Sequence, residues 1–250
     1  FLIFLIFYDL YFSRAQYSYP ILIKPNLTLK AISKELHKNN IIRDKFLFEF
    51  LIRSSFAETK LKAGEYLFFE NNIFQIIKKI KNGYVFQRKV TIPEGLTTDE
   101  VIEILKNTEG IVVNKDIYLP GEGSLFPNTY FYIYGTNINK IIHTMELDMQ
   151  KVLEDLWKNK DKSVKLKNYR EVLILASIVE KETSLKKEKP IIAQVFLNRL
   201  NLNMKLQSDP TVIFAIRKEL GELDRELIIE DLSFESEYNT YLHRGLPIGP

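Results

Sequence analysis

Glu180 is the acid in this sequence best placed to do chemistry. It closes an apolar run within E-V-L-I-L-A-S-I-V-E-K-E-T-S, Glu171 to Ser184. At about 100° per residue a helix puts Glu180 on one face with Ala176, Ser177, Thr183 and Ser184. All four are small, so this face is expected to form the floor of a groove with one carboxyl projecting into it. Burial at the end of so apolar a helix disfavours ionisation and lets a carboxyl hold a proton near neutrality, which is the equipment of a general acid. The alternative is that Glu180 simply marks where a core helix surfaces. Glu182 points more than half a turn away and is expected to pair with Lys186, so the two acids do not form a dyad.

Other polar residues stand in turn-rich segments. In L-Q-S-D-P-T-V, Leu206 to Val212, Asp209-Pro210 has the chemistry of a helix start, with Asp209 as N-cap and proline at the first helical position. Gln207, just before it, has no such local role. Tyr238 to Pro250, Y-N-T-Y-L-H-R-G-L-P-I-G-P, combines aromatic rings and an amide, which suit the C–H faces and hydroxyls of a sugar. The segment L-P-G-E-G-S-L-F-P-N-T-Y, Leu119 to Tyr130, is held in turns by its glycines and prolines. No lysine or helix start stands where a phosphate-cradling loop needs one. With no cysteine, and His37, His143 and His243 far apart, no metal or other cofactor is expected.

Around these residues the chain reads as α+β. Ile21 to Ile23 is a short strand, Thr28 caps a helix ending near Asn39-Asn40, and a second helix fits Asp44 to Ser54. Ala63 to Phe68 turns into a strand, Ile73 to Ile80 is a helix stopped by Asn82-Gly83, and Val85 to Ile92 is a strand. Pro93-Glu94-Gly95 then breaks the chain, and Thr97-Thr98-Asp99-Glu100 opens a helix. Ile138 to Trp157 is a long amphipathic helix and Lys158 to Lys167 a solvated connection. After the central run, Ile191 to Asn201 is a helix expected to turn Val195-Phe196-Leu197 inward. The 250 residues, 46% hydrophobic and 27% charged, suit a globular chain of one large or two small domains. A net charge of +3 with scattered basic residues argues against nucleic acid. The opening run F-L-I-F-L-I-F-Y-D-L-Y-F, Phe1 to Phe12, is shorter than the ~20 residues of a membrane span. Since the chain starts with Phe1 and not Met, the run is expected to be the outer end of an anchor whose upstream part is missing.

The segments I-P-E-G-L-T-T-D-E-V, E-G-S-L-F-P-N-T-Y, L-A-S-I-V-E-K-E-T, V-F-L-N-R-L, L-Q-S-D-P-T-V, and Y-N-T-Y with G-L-P-I-G-P, in this order, resemble the endolytic murein transglycosylase (YceG-like, MltG) family over essentially the whole chain. The resemblance implies a single-pass inner (plasma) membrane protein acting outside the cytoplasm on peptidoglycan glycan strands, with peptidoglycan synthases as candidate partners. It implies an anchor at 1–12, a LysM-like subdomain at 19–92, and a mainly helical catalytic domain with short strands at 93–250. Family members continue past G-L-P-x-G-P, so a closing segment is expected to be missing from this chain. Glu180 takes the position of the catalytic glutamate. On that mechanism Gln207, Asp209 and Asn239 orient the acetamido groups or the catalytic carboxyl, and Arg199 holds the site or meets the lactyl-peptide carboxylate. Glu122 and Ser124 line the groove. The rival reading from another class is a non-catalytic, membrane-tethered scaffold that binds peptidoglycan. A hydrolase using water is a third.

Overall fold

Short polar side chains set most helix boundaries in the computed structural model, which describes residues 15–16, 19–55, 61–221, 223 and 225–250. The chain runs β1 (Ala15–Gln16), β2 (Ile21–Ile23), α1 (Leu29–Lys38), α2 (Lys45–Ser54), β3 (Gly64–Tyr66), β4 (Phe69–Asn71), α3 (Ile73–Asn82) and β5 (Gln87–Thr91). It continues through α4 (Thr98–Lys106), β6 (Ile111–Val112), β7 (Thr129–Ile133), β8 (Thr136–Asn137), α5 (Ile138–Lys158), α6 (Tyr169–Glu182), α7 (Lys189–Asn201), α8 (Asp209–Leu220) and a 3₁₀ turn (Ile229–Ser233). The result is a mixed α/β fold of helices with two-stranded sheets, pairing β1 with β4, β2 with β3, β5 with β7 and β6 with β8. Thr28, Asp44, Asn72 and Thr97 each accept a hydrogen bond from a first-turn amide, and Asn72 and Thr97 complete capping boxes with Gln75 and Glu100. Gly83 stops α3 in the left-handed region, at φ +72°.

The chain divides into two compact units. One comprises the chain up to Val90 together with two later returns, Glu109–Val112 and Phe131–Thr136. Its core is built from Ile23, Leu36, Phe48, Ile52, Tyr66, Phe68, Ile76 and Ile80, all but excluded from water. In the same unit Arg88 forks onto the buried Glu65, donating Nε to Oε2 at 2.7 Å and Nη2 to Oε1 at 2.8 Å, and reaches Glu109 at 3.0 Å. Both carboxylates favour the cation and hold Arg88 well above its ordinary range.

The other unit holds Thr91–Thr108, Val113–Tyr130 and Asn137–Pro250. At its centre α6 packs against α5, α7 and α8. Ile174, Leu175, Ile178 and Val179 from α6 join Phe196 from α7 and Leu206 in one buried cluster. Burial by ~25 cal/mol per Å² of apolar surface is what holds this helix at the middle of the unit. One side of the helix stays out of this cluster, where Ala176 is exposed and Ser177 half-buried. The apolar residues of α7 are divided differently from expectation, with Phe196 buried, Leu197 half-buried and Val195 exposed. Among the described residues no helix is long and apolar enough to cross a membrane. The apolar run Phe1 to Phe12 lies outside the described residues.

Candidate active site

Of the four small residues expected beside Glu180, only Ala176 and Ser177 share its helix face; the expectation for Thr183 and Ser184 is corrected, because α6 ends at Glu182 and the chain turns extended at Thr183. Ala176 is exposed, and half-buried Ser177 folds its hydroxyl back onto the Ile174 carbonyl at 2.8 Å. Glu180 itself is half-buried. The expected apolar shielding of its carboxyl is corrected by the structure: the side chain is 30% exposed and Oε2 accepts from Lys189 Nζ at 2.6 Å. Among the described residues Oε1 has no hydrogen-bond partner. A different element faces the methylene part of the side chain across a gap. Gly95, at φ +78° in the Pro93-Glu94-Gly95 turn, faces it with room to spare, since a Cβ added there would make an ordinary contact of 3.5 Å with Glu180 Cγ.

Glu182 does not pair with Lys186 as spacing suggested. Ser208 Oγ donates to its Oε2 at 3.0 Å, which ties the end of α6 to the loop before α8. That loop carries most of the other candidates. Asp209 is not the N-cap, because α8 begins one residue earlier than expected and Ser208 takes the cap position without a side-chain bond. Asp209 is therefore free to accept from Tyr241 Oη at 2.6 Å. That bond first, and then burial, push the Tyr241 phenol up to about 12, with Glu182 adding to the shift. Gln207 is exposed, at φ +52°, with its amide bonded to the Thr240 carbonyl at 3.2 Å. Arg199 donates to the Leu206 carbonyl, so it braces the backbone of this loop.

Thr211, Thr240 and Ser208 form a buried network under the same loop: the two threonine hydroxyls lie 2.9 Å apart and Ser208 N donates to Thr240 Oγ1 at 3.0 Å. Asn239 is wholly buried, and its Nδ2 donates to the carbonyls of Leu232 and Phe234 at 3.0 and 2.8 Å. Its carboxamide oxygen accepts from Tyr241 N at 2.8 Å. The side chain thus spends its bonding capacity on the segment that carries Tyr241.

The two remaining candidates lie on the turn-rich loop. Glu122 accepts from Thr98 N at 3.0 Å, placing its charge at the N-terminus of α4, where exposed amides favour an anion. Ser124 donates to the Gly121 carbonyl at 2.7 Å. Both shape the loop: Glu122 fixes the helix that follows the Gly95 turn, and Gly123, at φ +72°, lies where a Cβ would strike Pro250. The structure therefore gathers Gln207, Asp209, Arg199 and Asn239 around one loop joined to the end of α6, with Glu122 and Ser124 on a second. The residue that spacing missed is Lys189, nine positions beyond Glu180 and outside any helical register. The six-residue connection between α6 and α7 brings it back.

A separate cleft of about 630 Å³ opens at the other end of α6, lined by Lys165, Lys167 and Arg170 over Ile174, Leu197 and Leu246. Its carboxylate, Glu171, is occupied in accepting from Lys167 N at 2.7 Å. Among the described residues no cluster of three or more His, Asp or Glu side chains could hold a metal ion.

The fold and these motifs occur together elsewhere. The endolytic murein transglycosylase of Bacillus subtilis strain 168 is 31% identical, over 89% of this chain and 69% of its own length. That of Streptococcus pneumoniae serotype 2 is 28% identical, over 89% of this chain and 48% of its own length, so the chain spans about half of that relative. A crystal structure described as a yceG-like protein of Listeria monocytogenes superposes with a TM-score of 0.52 at 29% identity, covering 94% of this chain and 85% of that one. A model of the YceG-like family matches residues 21–250. The chain belongs to the YceG-like family.

Proposed function

We infer that this protein is an endolytic peptidoglycan lytic transglycosylase. It cuts the bond between N-acetylmuramic acid and N-acetylglucosamine within nascent glycan strands, leaves a 1,6-anhydro end and so stops strand growth. The observation that carries the reading is Glu180, a carboxyl near the end of a core helix with one oxygen unpartnered among the described residues, in a family whose curated relatives are named for this reaction.

In the first step protonated Glu180 gives its proton to the bridging oxygen. The C1–O bond of the muramic residue breaks, its electron pair stays with the departing sugar, and positive charge develops at C1. In the second the C6 hydroxyl of the same muramic residue attacks C1, and ionised Glu180 takes the hydroxyl proton. No water is consumed, and the enzyme ends as it began. A second carboxylate, which ordinary glycosidases use to supply or activate the nucleophile, is unnecessary because an intramolecular hydroxyl has a high effective concentration. Lys189 sits at Oε2, so Oε1 is the oxygen that carries the proton in both steps. Gln207 and Asp209 meet the acetamido groups, and Arg199, Asn239, Glu122 and Ser124 hold the two loops in place.

The ion pair of Glu180 with Lys189 favours a second reading, since a carboxylate fixed by an ammonium is also what a non-catalytic, peptidoglycan-binding scaffold could carry. One experiment separates the two. Purified sacculi treated with the protein should release muropeptides lighter by one water than the reducing-end forms, as read by mass spectrometry. Glu180→Gln should fold normally and lose on the order of 10²–10⁴ in rate, the usual contribution of a positioned acid. Wild-type rates from Glu180→Gln would remove the residue from the mechanism. Reducing ends would make the protein a hydrolase, and binding without any cleavage would make it a scaffold.

The protein is tethered in the plasma (inner) membrane by a single N-terminal anchor, with its catalytic part outside the cytoplasm, where it meets peptidoglycan synthases. The apolar run Phe1 to Phe12 supports this placement. A LysM-like character for the first unit is supported by the strand–helix–helix–strand order of β2, α1, α2 and β3, with its two strands paired antiparallel.

A further inference from the structure

A lone carboxyl that serves two proton transfers in turn has to present the same oxygen to two positions. A glutamate side chain has three torsions, and left unrestrained it loses freedom it must give up at each encounter. Displacement by ~1 Å can lower a rate by about 10². The structure shows what restrains Glu180. At the carboxyl, Lys189 Nζ binds Oε2 at 2.6 Å, with both side chains partly shielded at 25% and 30% exposure.

The geometry of Lys189 is itself supported. It is the first residue of α7, followed by Pro190. The connection before it is cross-braced: Thr183 Oγ1 donates to Glu188 Oε2 at 2.8 Å and accepts from Leu185 N at 3.1 Å, and Glu188 N donates to the Leu185 carbonyl at 2.9 Å. The neighbouring charged groups are engaged elsewhere. Glu182 is bound by Ser208, Glu188 by Thr183, Asp209 by Tyr241, and Arg199 is on the Leu206 carbonyl. Lys181 lies along the Gly95 turn.

We propose that Lys189 is a positioning residue for Glu180: its ammonium holds Oε2 in place, leaving Oε1 to deliver and recover the proton. This rests on the transglycosylase reading above. A point charge suits the task, because an ammonium has no acceptor and cannot take over the proton relay as a second carboxylate would.

The test uses the full chain on purified glycan strands, with Lys189→Met, Lys189→Gln and Lys189→Arg compared with Glu180→Gln. Lys189→Met and Lys189→Gln should keep the wild-type melting temperature and KM while kcat falls by roughly 10–100-fold. Lys189→Arg should restore most of kcat, since it returns a cationic donor to Oε2. An unchanged kcat in both neutral variants would overturn the proposal. So would a raised KM at constant kcat, which would make Lys189 a substrate contact, or an arginine variant as slow as the neutral ones. Full activity in Glu180→Gln defeats the transglycosylase reading itself. An inactive Glu180→Gln beside fully active neutral Lys189 variants defeats only the role of Lys189.

Discussion

The candidate side chains divide by what they already hold. Asn239 makes three hydrogen bonds with no exposure, and removing such a group leaves two carbonyls and an amide without partners. Asn239→Ala should therefore lower stability by about 1–3 kcal/mol in urea unfolding. Gln207 keeps its side chain in solvent, so the corresponding change there should act on substrate affinity and leave the unfolding midpoint near wild type. The place of Glu180 near the end of a core helix was legible in the sequence, because an apolar run ending on an acid is a pattern of type and spacing. Its partner was not, since Lys189 returns through a loop and helical periodicity carries no information across a turn. Asp209 was misread for a related reason. An Asp-Pro pair satisfies the capping rule locally, but Tyr241, distant in sequence, claims the carboxylate and the cap position moves to Ser208.

Elements were easier to read than contacts. The boundaries of α1, α2, α3 and α4 follow from Thr28, Asp44, Asn72 and Thr97, each of which satisfies an amide within its own turn. The turn-rich loop was recognisable by composition, whereas its function of fitting glycine against a neighbouring element was not. Gly95 and Gly123 both sit at positive φ, at +78° and +72°, yet their surroundings differ. An added Cβ at Gly95 would make ordinary contact with Glu180 Cγ at 3.5 Å. At Gly123 it would fall 2.5 Å from Pro250 Cγ and 3.1 Å from Leu173 Cδ2. Gly95→Ala should accordingly cost about 1–2 kcal/mol of left-handed strain alone. Gly123→Ala should cost about 1–3 kcal/mol more through overpacking. Thermal melts of the two variants side by side check the order, and equal losses would mean the C-terminal turn yields freely.

At the scale of the whole molecule, the first unit draws on chain that the sequence offers no reason to group. Composition marks a break at Pro93, but the returns at Glu109–Val112 and Phe131–Thr136 are visible only in three dimensions. Arg88 shows why they matter to the unit: the fork on Glu65 is nearly excluded from water, and its outer edge is held by Glu109. Removing one partner strands a buried charge, so Arg88→Met should destabilise this unit by on the order of 3–5 kcal/mol. Amide hydrogen exchange in β3 would report the loss, and wild-type protection there would show the pair to be dispensable. The late returns also bear on biosynthesis. A ribosome that has extruded Val90 has delivered the isoleucine-rich heart of this unit but neither Glu109 nor the Gly135 amide that bonds the Gly110 carbonyl at 2.7 Å. That surface stays unfinished until the chain through Thr136 is available, so this unit closes only after α4 of the other unit has been made.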